Sequence, residues 1–221
     1  ITNGYGMTEN CAICSQVDGR NFKKLDSVGR AQYGAEIKID EPSGEVLMRG
    51  PYVMDGYYKN DELTSKTLVD GWLHTGDKGY LDIDKYLYIT GRVSDSFKTS
   101  KGEFIEPLTL ESYFADIQEI EEICITGLGL AQPIGLVQLS EIGKLTPKDE
   151  LSEILEAKLA DINADLENYK KISTLVIVKD EWTEQNKILG PTLKIKRGNV
   201  EDMYSSKYSL WTANNSKIIW E

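Results

Sequence analysis

Gly4-Tyr5-Gly6-Met7-Thr8-Glu9 brackets an aromatic ring between two glycines and sets a hydroxyl just before a carboxylate. Glycine lets the backbone turn and lets a ligand come close. Tyr5 offers a flat face to a base, Thr8 a hydroxyl to a phosphate oxygen, and Glu9 an oxygen ligand to Mg2+. The same six residues also suit a plain turn at a strand end. In Gly71-Trp72-Leu73-His74-Thr75-Gly76-Asp77 a carboxylate follows a glycine in what reads as a loop. There it can accept from both hydroxyls of a ribose, or simply cap its own turn. A third stretch runs from Gly91-Arg92 through Ser94, Asp95, Lys98 and Lys101 to Gly102. A fourth, Pro191-Thr192-Leu193-Lys194-Ile195-Lys196-Arg197, is a cationic cluster. A lysine in it can pair with phosphate or face solvent.

The elements that must position these residues differ between the two halves. Residues 1–91 read as short strands punctuated by glycine, a small barrel-like sheet. Residues 35–39 and 45–49 flank the turn Glu41-Pro42-Ser43-Gly44, and 80–83 and 86–90 flank Asp84-Lys85. A short helix is expected over 61–68. Residues 93–106 are polar and basic, which places a domain boundary near Arg92. Beyond it the spacing predicts helices over 107–114 and 146–171 and strands over 122–127, 133–139 and 174–178. In the long helix Thr146 caps, Pro147 opens the first turn, and Lys170 and Lys171 close the last. Leu151, Ile154, Leu155, Ile162, Leu166 and Tyr169 make its apolar stripe. The fold class is therefore mixed: a small distorted β-barrel subdomain, then an α+β domain over 92–221 with helices on an antiparallel sheet. Residues 198–221 are too apolar for a free tail and are expected to pack back.

Composition sets limits on function. Lys plus Arg number 25 and Asp plus Glu 36, a net charge of −11 over 221 residues. That surface suits no nucleic-acid partner. No apolar run reaches the roughly 18 residues that span a bilayer. Three cysteines do not make a disulfide scaffold and point to a reducing, cytoplasmic setting. Cys11-Ala12-Ile13-Cys14 lacks the further ligands a zinc site needs and reads as two buried small hydrophobes. His74 is the only histidine, and with no Gly-x-Ser-x-Gly elbow it reads as structural. Asp82-Ile83-Asp84 reads as a hairpin turn.

In this order the four stretches resemble the adenylate-forming superfamily: acyl-CoA synthetases, adenylation domains of peptide synthetases, and luciferases. Tyr5-Gly6-Met7-Thr8-Glu9, Trp72-Leu73-His74-Thr75-Gly76-Asp77, Gly91-Arg92 and the late Lys194 stand at family-like separations. Residues 44–50 and 53–59 look like the family segment before the Asp loop. The resemblance covers nearly the whole chain. Residues 97–103 and 191–194 look most like long-chain fatty acyl-CoA ligases.

The resemblance implies an enzyme that joins a carboxylic acid to AMP from ATP, releases pyrophosphate, and transfers the acyl group to CoA. Tyr5 would stack on adenine beside Gly6, Thr8 would meet the α-phosphate region, and Glu9 would hold Mg2+. Asp77 would bind the ribose hydroxyls and Arg92 would approach them. Lys194 would be the catalytic lysine, with Thr8 and Glu9 beside the reacting phosphate. The small C-terminal domain would rotate between two half-reactions about a hinge at Ser94 and Asp95. The loop of Lys98, Lys101, Gly102 and Glu103 would then line the thiol channel. The family often has Asp or Lys where Ser94 stands, so a role for charge there does not carry over. An acyl-AMP ligase or adenylation domain loading a carrier protein, and a non-catalytic nucleotide-binding module, are the alternatives. The resemblance leaves room for peripheral membrane contact by the full-length enzyme. A chain opening at Ile1 just before a ligand motif is expected to be a piece. It would pair with the rest of its own N-terminal domain, which supplies a phosphate loop, and alone it would fold but not catalyse.

Overall fold

Alternation along Glu36–Ile39 and an apolar run along Glu45–Arg49 form an antiparallel hairpin. Its turn closes where the Gly44 amide donates to the Asp40 carbonyl at 2.7 Å. The computed structural model describes residues 3–19, 22–213 and 215–221. Ile1, the expected opening of a longer chain's piece, lies outside them. The chain divides into two compact units, Ile1–Ser94 and Asp95–Glu221.

In the first unit, β1 (Gly4–Tyr5), β2 (Ser15–Gln16) and β3 (Arg30–Ala31) form a small antiparallel sheet. A larger sheet holds β4 (Glu36–Ile39), β5 (Glu45–Arg49), β6 (Leu68–Val69), β7 (Trp72–Leu81) and β8 (Leu87–Arg92). The helix α1 (Asp61–Thr67) precedes β6, and the Asn60 side chain caps it by accepting from the Leu63 amide. Strand β7 pairs with β6 at Trp72 and Leu73, with β5 as far as Lys78, and with β8 from Asp77 onward. Register shifts on both long pairings curl the sheet into a partial barrel. Val46, Met48, Leu73, Leu87 and Cys14 fill its core.

Two local expectations change here. The Trp72–Asp77 motif lies inside a strand, not a loop, because β7 runs unbroken from Trp72 to Leu81 and pairs on both sides of Thr75 and Gly76. Cys14 is buried, but Cys11 is exposed.

In the second unit, β9 (Phe97–Lys98) and β10 (Phe104–Ile105) form a hairpin, and α2 (Pro107–Ser112) follows with proline at its first position. The main sheet runs β11 (Ile120–Thr126), β12 (Ile134–Leu139), β13 (Leu175–Ile177), β14 (Ile218–Trp220). The first pair is antiparallel and the next two are parallel, so the sheet is mixed. The parallel pairs arise because α3 (Glu141–Leu145) and α4 (Lys148–Asp165), then α5 (Arg197–Tyr204) and α6 (Tyr208–Ala213), provide the crossovers.

Period-two alternation puts opposite residues on the two faces of this sheet. Ile125, Val137, Leu175, Ile177 and Ile218 meet Leu151, Leu155, Leu159 and Ile162 of α4. Cys124, Leu136 and Val176 share the other cluster with Val200, Tyr204, Tyr208 and Trp211 of α5 and α6. The apolar tail thus packs back as its composition requires.

The long helix is shorter than its stripe suggests. Thr146 ends α3, and Leu166 leaves α4 in extended backbone. The Asn163 amide group donates to the Ile172 carbonyl and accepts from the Ile172 amide, both at 2.9 Å, folding the chain back. Lys170 and Lys171 therefore lie outside the helix. Among the described residues, no helix is long and apolar enough to cross a membrane.

Candidate functional site

Asp77 and Arg92 are register partners across β7 and β8. Gly76 has φ +72°, a conformation that favours glycine, and this bend lies just before Asp77. The Arg92 Nε lies 3.1 Å from Asp77 Oδ1. Tyr5, brought in by β1, donates its hydroxyl to Asp77 Oδ2. The Asp77 amide donates to Thr75 Oγ1 at 3.1 Å, and buried Thr75 donates in turn to the Val46 carbonyl at 2.7 Å. Burial, and then the bond to Asp77, hold the Tyr5 phenol well above its ordinary range. Tyr5 is thus a neutral donor on an oriented ring. Each carboxylate oxygen has two lone pairs, so Asp77 can still accept from diol hydroxyls while Tyr5 and Arg92 hold it.

Thr8 and Glu9 sit on the 3-10 turn Thr8–Asn10. Buried Asn10 accepts from the Met7 amide at 2.9 Å and fixes that turn. Cys11 and Ala12 follow at φ 58° and 87°, doubling the backbone back on itself. The Ala12 carbonyl oxygen then lies 1.8 Å from where a Cβ on Gly6 would be, so only glycine fits there. Thr8 is exposed. The Glu9 carbonyl accepts from the Met54 amide at 2.8 Å, and its Oε1 accepts from the Tyr57 hydroxyl at 2.7 Å. That bond is the main cause of the raised Tyr57 phenol. Among the described residues no group of three or more His, Cys, Asp or Glu could hold a metal ion. Mg2+ is commonly held by one or two carboxylates together with substrate phosphates, and a lone oriented Glu9 fits that pattern.

Two supporting residues escape sequence reading. Glu45 accepts from the Gly76 amide at 2.8 Å and lies 2.9 Å from His74 Nδ1. It holds the bend that presents Asp77, and it gives His74 a structural partner. Tyr57 orients Glu9. Both lie in the stretches 44–50 and 53–59 already set apart by their pattern, which is the only signal they carry.

The remaining candidates belong to the second unit, apart from Ser94. Ser94 and Asp95 lie in the short 3-10 turn Val93–Asp95. Lys98, Lys101, Gly102 and Glu103 form the β9–β10 hairpin and its turn, and all four are exposed. Buried Thr99 ties that turn: its amide donates to the Glu103 carbonyl at 2.9 Å, and its Oγ1 accepts from the Glu103 amide at 3.2 Å. The Lys98 ammonium lies 4.7 Å from the centre of the Phe104 ring. Lys194 is exposed on a loop whose feet are joined by the Lys196 amide donating to the Ile188 carbonyl at 2.7 Å. Its own carbonyl accepts from the Gly190 amide at 2.8 Å. Lys194 borders a cavity of about 480 Å3 together with Asp95, Glu111 and Arg197.

Residues 1–58 match the family described as AMP-binding enzyme. A long-chain-fatty-acid–[acyl-carrier-protein] ligase of Arabidopsis thaliana is 29% identical over 94% of this chain and 31% of its own length. A 2-succinylbenzoate–CoA ligase of Oceanobacillus iheyensis is 36% identical over 72% of this chain and 35% of its own length. The solved O-succinylbenzoate coenzyme A synthetase of Bacillus subtilis, in complex with ATP and magnesium ion, superposes with a TM-score of 0.72 at 27% identity. That match covers 91% of this chain and 41% of the solved one. The chain thus spans about a third of the length of these curated relatives.

Proposed function

We propose, for a chain that belongs to the adenylate-forming acid–CoA ligase family of AMP-binding enzymes, that the full-length protein activates a fatty acid with ATP and passes the acyl group to CoA. The convergence of Tyr5, Asp77 and Arg92 from three separate strands carries this reading.

In the first step a carboxylate oxygen of the acid attacks the α-phosphorus of ATP. The bond to the bridging oxygen breaks and pyrophosphate leaves. In the second, a thiol loses its proton, its sulfur attacks the acyl carbon, and AMP leaves with the bonding electrons. Asp77 accepts from the ribose hydroxyls, and Arg92 and the Tyr5 hydroxyl fix its carboxylate. The Tyr5 ring, held by that bond, takes the adenine face. Thr8 donates near the α-phosphate. Glu9, oriented by Tyr57, would hold Mg2+, which when bound neutralises phosphate charge. Lys194 brings a compact mobile charge to the oxygens where negative charge builds. Rotation about Ser94 and Asp95 then exchanges Lys194 for the hairpin of Lys98, Lys101, Gly102 and Glu103. The free cysteines Cys11, Cys14 and Cys124 support a reducing compartment such as the cytoplasm.

The fatty-acid assignment is supported by the pattern of residues 97–103 and 191–194 and by relatives named for long-chain acids. A carrier-protein thiol is the second reading, because one such relative is named as an acyl-carrier-protein ligase. The test incubates the full-length protein with ATP, Mg2+ and acids from acetate to oleate plus 2-succinylbenzoate, offering CoA or acyl carrier protein. Oleoyl-CoA as the fastest product is expected. A thioester formed only from 2-succinylbenzoate would overturn the fatty-acid assignment, and one formed only on the carrier protein would select the second reading.

A further inference from the structure

Arg197 is the first residue of α5, three positions after Lys194, and its guanidinium is largely buried. A buried cation needs a paired anion. Glu111 on α2 supplies it: both carboxylate oxygens accept from Arg197 Nη2, at 2.6 and 2.5 Å. Glu111 is itself fixed, since its Oε1 also accepts from the Ile125 amide at 2.7 Å. Arg197 Nη1 donates to the Ile125 carbonyl at 3.0 Å and contacts Cys124 Sγ at 3.3 Å. One carboxylate already balances the charge, yet a second is present: Asp95 Oδ2 lies 3.4 Å from Arg197 Nε. Asp95 is the first residue of the second unit.

We infer that Arg197 is a positioning residue that fixes the foot of the Lys194 loop to Asp95, so that the lysine is carried with the residue at the unit boundary. The inference rests on the ligase reading above. The loop has one covalent route to α5, through Ile195 and Lys196, and the Lys196 amide closes its base on Ile188. Where α5 begins therefore sets where the Lys194 ammonium can reach. Arg197 locks that start to α2, β11 and Asp95 at once. A planar guanidinium spreads five donors over three nitrogens and reaches all three from separate atoms, which the single nitrogen of a lysine does not, so lysine is not equivalent here.

The test measures both half-reactions of the full-length enzyme: carboxylate-dependent ATP–pyrophosphate exchange, and thioester formation from supplied acyl-AMP. Arg197→Lys keeps the charge beside Glu111 and gives up the reach to Asp95. Exchange is expected to fall about 10-fold or more in kcat, with little change in the KM for ATP, because small misplacements of a reacting group are costly. Thioester formation should change less than about 2-fold. Asp95→Asn leaves the Arg197–Glu111 pair intact and should give a smaller loss of the same kind. The double variant should be no worse than Arg197→Lys alone, since both remove one contact. Equal loss of both half-reactions, no loss in either, or additive losses would overturn the inference. A melting temperature for Asp95→Asn matching the unmodified enzyme keeps the reading independent of folding. Absence of exchange in the unmodified enzyme would instead overturn the ligase reading, and this inference with it.

Discussion

The residues proposed to face the nucleotide and the candidate catalytic lysine are held in opposite ways. Tyr5, Asp77 and Arg92 come from paired strands and are tied to one another, with Asp77 mostly buried. Lys194 stands exposed on a loop whose backbone is tied down, its own carbonyl included, while its side chain reaches outward. A group that reads a constant part of the substrate gains from being preorganised. A charge that must enter for one step and leave for the next gains from a firm foot and a free tip. On the proposed reading, the first unit supplies fixed recognition and the second supplies an exchangeable charge.

The sharpest way to break that contrast is Lys194→Ala in the full-length enzyme. Adenylate formation should fall about 10²–10³-fold, the usual effect of removing one donor to developing charge. Thioester formation from supplied acyl-AMP should stay within a few-fold, and equal loss of both would end the division of labour. Asp77→Ala should raise the KM for ATP by about 10–10²-fold, since it removes a charged acceptor and strands Arg92 and Tyr5. An unchanged KM would remove Asp77 from ribose recognition. Ser94→Pro fixes one backbone angle at the boundary and should change the ratio of the two half-reaction rates about 10-fold. An unchanged ratio would take the hinge away from Ser94.

The smallest effects concern support. Glu45→Gln keeps an acceptor for the Gly76 amide and weakens only the tie to His74, so the KM for ATP should rise roughly 2–3-fold. A rise as large as that of Asp77→Ala would put Glu45 in contact with the nucleotide. Tyr5 titrates above its ordinary range when folded, for burial and then for Asp77. The stabilisation this gives is complete below the unfolded value of about 10 and is lost as pH rises through the folded value. Tyr5→Phe should therefore soften the fall of Tm above pH 10 by roughly 2–4 °C. Melting curves at pH 9 to 11 check it, and an identical slope would count against the buried, bonded phenol.

Much of this arrangement is legible in the amino-acid sequence, because the informative stretches are contiguous. Gly4–Glu9 and Trp72–Asp77 each carry their chemistry within six residues. The strand pattern, alternating over 36–39 and running apolar over 45–49, is equally plain. Gly71 and Gly76 read as breaks and point to a loop at Asp77, whereas Gly76 is a bend within a continuous strand that pairs on either side of it. The end of α4 is hidden because Leu166 and Tyr169 keep the helical apolar spacing. What stops the helix is a side-chain bridge from Asn163 to Ile172, which no periodicity reports. Glu45, Tyr57 and Glu111 are silent for a related reason: each acts on a residue far along the chain, Glu111 on one 86 positions away.

Pyrophosphate exchange into ATP by the full-length protein tests the central proposal most directly, because it reports adenylate formation without a thiol. Exchange that requires a carboxylic acid, and that is strongest with a long-chain one, is the expected result. No exchange with any acid from acetate to oleate would contradict it.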